Sequence, residues 1–214
     1  MTLLLRAMLL TFIALLTLYL ANRLYDYKVP HWVSRKVAHI GGGFCYILLP
    51  FLFPSPWYPL ALSAGFTAIL AIGKILNPNI IRGTGGSGRP GVTAEINFPL
   101  SGTVSIIILW ALLDRPFLSI LPMAFVGIGD AATGIIRSAF TNVESKGNLG
   151  SLGMITSCLL LASLASPYWV GAVGAVTATV AERATKASKI IDDNLTLTLS
   201  SLLIISLLVV GGKA

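Results

Sequence analysis

Seven of the eight carboxylates in this 214-residue chain, all except Asp114, share their stretches with twelve of its fifteen lysines and arginines. Oxygen ligands set among cationic side chains suit work on a phosphorylated group with a divalent cation. The carboxylates hold a hard cation, and the bases neutralise charge on phosphate. In Gly127-Ile-Gly-Asp130-Ala-Ala-Thr-Gly134-Ile-Ile-Arg137, positions 127, 130, 134 and 137 follow helical spacing and share one face. If Arg137 marks a membrane boundary, Asp130 lies about 10 Å deeper. A carboxylate at that depth must meet a cation, a metal or water, with Lys36 or Arg137 as the simple structural partner.

Further groups carry the same kind of chemistry. Lys146-Gly147-Asn-Leu-Gly150-Ser-Leu-Gly153 leads into a helix, where free backbone amides beside an ammonium make a phosphate seat or, more simply, a flexible turn. The segment Arg82-Gly-Thr-Gly-Gly-Ser-Gly-Arg89-Pro-Gly91, followed by Glu95 and Asn97, has P-loop glycine separation. It lacks the Lys-Ser/Thr pair and a preceding strand, so a Walker A loop is rejected. What remains is a basic, glycine-rich segment that could close over a polyphosphate or serve only as a connector. Ile191-Asp192-Asp193-Asn194-Leu-Thr196 offers three oxygen-bearing side chains at a helix start, more than an N-cap needs and suited to Mg²⁺. Arg35-Lys36-Val-Ala-His39 puts Lys36 and His39 one turn apart, for phosphate binding or for anchoring at an interface. Gly171, Gly174 and Ala178 form a small-residue stripe that runs out to Glu182 and Lys186.

The elements that position these groups must be membrane helices. The chain is 55% hydrophobic and 11% charged, whereas a soluble domain carries roughly 25% charged residues. A net charge of +7 could suggest nucleic acid, but the bases lie between apolar runs, so membrane orientation explains them and no nucleic-acid partner is expected. Cys45 and Cys158 both lie in apolar runs and indicate neither a disulfide framework nor a metal site. A bilayer core needs about 20 helical residues. Eight candidate spans run from Leu3 to Ala21, Val37 to Phe53, Trp57 to Leu76, Phe98 to Leu113, Phe117 to Arg137, Leu149 to Ala165, Tyr168 to Ala184 and Leu195 to Val210. The first reads as an anchor rather than a signal peptide, since no small-residue cleavage pattern follows it.

Short turns alternate with long polar connections, and the long ones collect on one side with the twelve bases. The positive-inside rule makes that side cytoplasmic and puts both termini on the other. The expected fold is therefore an all-α polytopic membrane bundle of about eight transmembrane helices, in one domain over residues 1–214. Its location is the plasma membrane in a prokaryote, or the endoplasmic reticulum or another endomembrane in a eukaryote.

Five stretches in this order resemble the CTP-dependent polyprenol kinase family, which includes dolichol kinase and phytol kinase and is distantly similar to the CDP-diacylglycerol synthases. They are RKVAHIGGGF at Arg35 to Phe44, GVTAEINFPLSG at Gly91 to Gly102, GIGDAATGIIR at Gly127 to Arg137, SKGNLGSLGM at Ser145 to Met154, and ERATKASKIIDDNLTLTL from Glu182 to Leu199. One stretch departs from the pattern: Ser138 to Glu144 is acidic and sparse where basic residues are usual.

The resemblance implies phosphoryl transfer from CTP to the hydroxyl of an isoprenoid alcohol with Mg²⁺ or another divalent cation, and it implies nucleotide or metal binding for Asp130, Lys146 and the Asp192-Asp193-Asn194 cluster. Together with the residue chemistry it leads to three expected groups. Asp130 or Asp193 accepts the hydroxyl proton. Arg35, Lys36, Arg89, Asn97, Arg137, Lys146, Gly147 and Lys186 bind nucleotide or phosphate. Asp130, Asp192, Asp193 and Asn194 hold the cation, with His39, Glu95 and Glu182 as further candidates. A cytidylyltransferase acting on a lipid phosphate makes nearly the same demands, and a small transporter using Asp130 as an ion or proton site is the rival from another class. Partners are the isoprenoid alcohol, the nucleotide and membrane lipids. Oligomeric state stays open, because glycine faces pack equally within or between chains.

Overall fold

The computed structural model describes residues 2–77, 82–84, 94–140, 147–185 and 193–212, with the backbone alone at 94 and 193. Among the described residues helices are the only regular elements, with no strand, and a helical segment stands at each of the eight expected stretches. These are α1 (Leu3–Asp26), α2 (His31–Leu52), α3 (Trp57–Leu76), α4 (Glu95–Leu112), α5 (Pro116–Phe140), α6 (Asn148–Ala162), α7 (Tyr168–Ala184) and α8 (Asp193–Val210). Four of them, α1, α3, α4 and α5, are long and apolar enough to cross a membrane; α6 and α8 are shorter apolar helices. The apolar helices are compatible with an integral membrane protein, as are the exposed Leu4, Met8, Phe12 and Leu15 of α1, which water would solvate poorly.

Local chemistry sets the helix ends. The Thr2 hydroxyl accepts the Leu5 N–H at 3.3 Å and caps α1. Prolines at 56 and 167 precede α3 and α7, and Pro116 opens α5, where a missing N–H costs nothing. Pro99 inside α4 cannot donate to the Glu95 carbonyl one turn back. Its own carbonyl accepts from Ser63 and Thr103 at 3.0 Å, tying α3 to α4.

Consecutive helices pack as antiparallel neighbours, α1 with α2, α3 with α4, and α5 through α8 in turn. α5 is the central rod: 78% of its most apolar stretch is buried, against 6% in α1. Leu121, Phe125 and Val126 of α5 pack with Met154 and Cys158 of α6, Val170 and Ala175 of α7, and Leu197 and Ile205 of α8. Where lipid replaces water as the solvent, such contacts are held by close packing more than by hydrophobic expulsion, so small residues set the approach. Gly127 of α5 meets Gly43 of α2 backbone to backbone, a Cβ on Gly127 falling 2.6 Å from the Gly43 Cα. Gly174 of α7 likewise accommodates Ile205 of α8.

Two π-helical segments interrupt the rods, Ile106–Leu112 at the end of α4 and Phe125–Gly129 in the middle of α5. The second ends directly before Asp130, and its wider turn resets the direction in which the following residues point. Between α2 and α3 the packing is different. α3 leans on α4 rather than on α2, and the space left among α1, α2, α3 and α4 is an open-mouthed, mostly apolar cavity.

Candidate functional site

The site lies at the end of the bundle where α1, α3, α5 and α7 finish and α2, α4, α6 and α8 begin. Asp130, the first residue after the π-helical turn of α5, is buried and its Oδ2 accepts from the Lys36 ammonium of α2. The ammonium reaches it because Gly134, one turn on, presents no side chain: a Cβ there would lie 2.9 Å from Lys36 Cε. Arg35, half-buried next to Lys36, adds positive charge around the same carboxylate. An isolated carboxylate at such a position would be very costly, and the pair with Lys36 offsets that cost.

His39, one turn along α2 from Lys36, is also buried. Its Nδ1 stands 3.8 Å from Asp130 Oδ2, beyond hydrogen-bond reach, and its Nε2 stands 3.4 Å from the amide nitrogen of Asn194 on α8. One imidazole thus spans from Asp130 on α5 to the start of α8. The ring also stacks on Phe98 of α4, with centroids 5.2 Å apart. Helices α2, α4, α5 and α8 therefore converge on His39.

Beside this group, Arg137 at the end of α5 is buried and donates to both Glu182 oxygens of α7, at 3.0 and 3.3 Å. Glu182 is 1% exposed, so this carboxylate is as deep as any core leucine. The guanidinium passes over the start of α6, where a Cβ on Gly150 would lie 2.6 Å from Nε. Across the bundle, the Lys74 ammonium at the end of α3 meets Glu95 Oε1 at the start of α4. Glu95 and Asn97 are both buried.

The expected residues divide clearly. Asp130, Lys36, His39 and Asn194 come together, with Arg35 alongside. Arg137 and Glu182 form a pair of their own, so Arg137 is not the partner of Asp130. Gly147 precedes α6 with open space around it, and Glu95 belongs to the cavity side. Arg89, Lys146, Lys186 and Asp192 lie outside the described residues, as does the side chain of Asp193. The glycine-rich segment corrects one expectation at its first glycine. The Gly83 N–H donates to Asn22 Oδ1 at 2.8 Å and its carbonyl accepts from Ser34 Oγ at 2.8 Å. A Cβ there would strike the Ala21 carbonyl at 2.4 Å, so Gly83 is a packed joint between α1 and α2 rather than part of a loose connector.

The cation expectation meets a limited donor set. Among the described residues no three His, Cys, Asp or Glu side chains are grouped to hold a metal. Asp130 and Asn194 are the described oxygen-bearing members, and α8 starts at Asp193. A Mg²⁺ ion keeps several waters and takes further ligands from substrate phosphates, so one or two carboxylates suffice for it. The one described carboxylate of that set, Asp130, is engaged by Lys36, and the described donors do not form an all-protein cage.

Sequence reasoning missed the cavity. It runs from Leu10, Leu49 and Pro59 at its deep end to His39, Thr84 and Glu95 at the site. Tyr46 and Ser63 in its wall are mutually hydrogen-bonded, and Phe98 joins the cavity to the His39 stack. The only signal in the sequence was a row of small or short side chains facing inward, Ala14, Ala38, Gly42 and Cys45, and without helix neighbours it has no meaning. No family model, no curated protein and no solved structure matches the chain.

Proposed function

We propose that this chain is an eight-span integral membrane kinase that transfers a phosphoryl group from CTP to the hydroxyl of an isoprenoid alcohol. The site faces the cytoplasm and both termini lie on the opposite side. One observation carries the reading: His39 lines the apolar cavity and also contacts the buried polar group built on Asp130 and Asn194. An amphiphile with its chain in the cavity brings its polar end to that group, and a lipid substrate requires this junction of a hydrocarbon-sized space with charge.

In this mechanism the chain of the alcohol stays among α1 to α4. Lys36 and Arg35 supply fixed positive charge toward the transferred phosphoryl group, which carries its charge on the equatorial oxygens. Arg137 is held by Glu182 so that α5, α6 and α7 keep a fixed spacing beside the nucleotide. A divalent cation, when bound at Asp130 and Asn194, would neutralise the triphosphate. The packed helices exclude water, which prevents hydrolysis from competing with transfer.

The test is to mix purified protein and Mg²⁺ with CTP and either geranylgeraniol or geranylgeranyl phosphate. CDP formed only with the alcohol is the expected result. Pyrophosphate formed with the phosphate would make the chain a cytidylyltransferase, and no CTP turnover with either lipid would remove both enzyme readings.

A further inference from the structure

The cavity follows the helices and then stops. Its lining residues recur every three or four positions, as from His39 through Gly42 and Tyr46 to Leu49 on α2, so its long axis lies along the helix axes. The path from His39 to Leu49 is ten residues of α2, about 15 Å of rise, and from Leu70 to Pro59 on α3 it is about 16 Å. At the far end Leu10 of α1 and Leu49 face the cavity and are also packed into one buried cluster with Phe53 and Trp110. Phe53, one turn beyond Leu49, stacks on Tyr58. This packed layer is the floor of the cavity. The walls are held too. Arg6 Nη1 of α1 donates to the Leu52 carbonyl of α2 at 2.6 Å, just past the floor. Higher up, the hydroxyls of Tyr46 on α2 and Ser63 on α3 meet each other, and both lie within reach of the Pro99 carbonyl of α4, at 3.3 and 3.0 Å. The four helices are thus tied around the space.

We propose that Leu10 and Leu49 determine chain length, admitting three isoprene units in line and discriminating against a fourth. The kind of lipid rests on the kinase reading; the depth belongs to the helices. A fully extended backbone advances about 3.3–3.6 Å over three bonds, or about 1.2 Å per bond. An isoprene unit adds four bonds to the main chain, about 5 Å, close to the 5.4 Å of one helical turn. Farnesol therefore spans about 14 Å from its oxygen to its last main-chain carbon and fits between the level of His39 and the floor. Geraniol, at about 10 Å, leaves the last turn unfilled, and geranylgeraniol, at about 19 Å, overruns it by most of a turn.

Fit decides among these chains because hydrophobicity does not. The alcohols arrive from the bilayer, where their chains already lie among hydrocarbon, so entering the cavity gains little from leaving water. An unfilled turn leaves lining atoms without contact partners. A surplus unit must buckle or push Leu10 and Leu49 into the cluster behind them, which is overpacking. The ties through Arg6, Tyr46 and Ser63 keep the walls from spreading to absorb it.

The experiment measures binding with no nucleotide present. The full chain in nanodiscs is photolabelled with a diazirine-bearing farnesol, while geraniol, farnesol, geranylgeraniol and the much longer solanesol compete at equal mole fractions of the lipid. Farnesol is expected to displace the probe about tenfold better than geraniol or geranylgeraniol, the scale on which a pocket reads a few methylenes. Leu10→Ala and Leu49→Ala, on different helices, deepen the floor. Each should lower the penalty on geranylgeraniol severalfold while geraniol stays poor. Displacement that rises steadily from geraniol to solanesol, or is equal for all four, overturns the length gauge in the unsubstituted protein alone. A penalty on geranylgeraniol unchanged in both leucine variants does so as well. Because this readout needs no turnover, the two ideas fail separately. A farnesol optimum without CTP turnover sinks the kinase and leaves the gauge. CTP turnover with a flat length profile sinks the gauge and leaves the kinase.

Discussion

Removing one member of the Lys36 and Asp130 pair leaves the other charged and buried, which typically costs about 3–5 kcal/mol. Both side chains are at most 10% exposed, so solvent gives little relief. Asp130→Asn therefore has two expected effects, loss of CTP turnover and a lower thermal midpoint in detergent, and only the first concerns chemistry. The double variant Lys36→Met with Asp130→Leu removes both charges at similar volume and should recover most of the midpoint, since a buried pair replaced by apolar groups is often neutral. Turnover should stay absent. Recovery of activity with recovery of stability would show the pair to be structural alone. Asp130 and Lys36 were legible as residues because charge inside an apolar run is rare. Their partners were not, since the choice of Lys36 over Arg137 depends on Gly134 leaving room for the lysine stem, and Glu182 draws Arg137 away from another helix.

At the scale of the element, the relation between α2 and α5 decides whether His39 and Asp130 meet. A Cβ on Gly127 would lie 2.6 Å from the Gly43 Cα and 2.7 Å from the His39 carbonyl oxygen, all backbone, so the two helices must separate. Gly127→Ala is expected to destabilise by about 1–3 kcal/mol, as overpacking does, and to lower activity by moving His39 from Asp130. Gly65 of α3 has nothing within 4 Å of its Cβ position. Gly65→Ala should be neutral or slightly stabilising, by up to about 1 kcal/mol from helix propensity. Equal midpoints for the two variants, read by thermal unfolding monitored with a thiol- or tryptophan-based signal, would contradict the contact. The helices themselves were legible from windows of apolar residues bounded by proline and charge. The π-helical turn before Asp130 was not, because nothing in Phe125-Val-Gly-Ile-Gly129 separates a wide turn from an ordinary one until its neighbours are known.

The molecule as a whole divides its labour along α2. On one side α5 to α8 form a close-packed core with Arg137 and Glu182 sealed in it; on the other α1, α3 and α4 stand around a cavity, and His39 is the joint. If the cavity holds the lipid and the packed side faces the nucleotide, perturbations of the two halves should separate kinetically. Ala14→Trp puts an indole from α1 into the cavity, far along α1 from the charged end. It should raise KM for geranylgeraniol about tenfold or more, the scale expected when a few methylenes lose their place, while KM for CTP stays unchanged. Glu182→Gln leaves the buried Arg137 guanidinium short of its counter-charge and should act on CTP and on stability instead. The two substitutions share no contact, so their effects on kcat/KM should add within about 0.5 kcal/mol. A large deviation from additivity, or a CTP defect in Ala14→Trp, would mean that the cavity and the charged group are one continuous space for a single ligand. The lipid would then lie against α5 and not among α1 to α4.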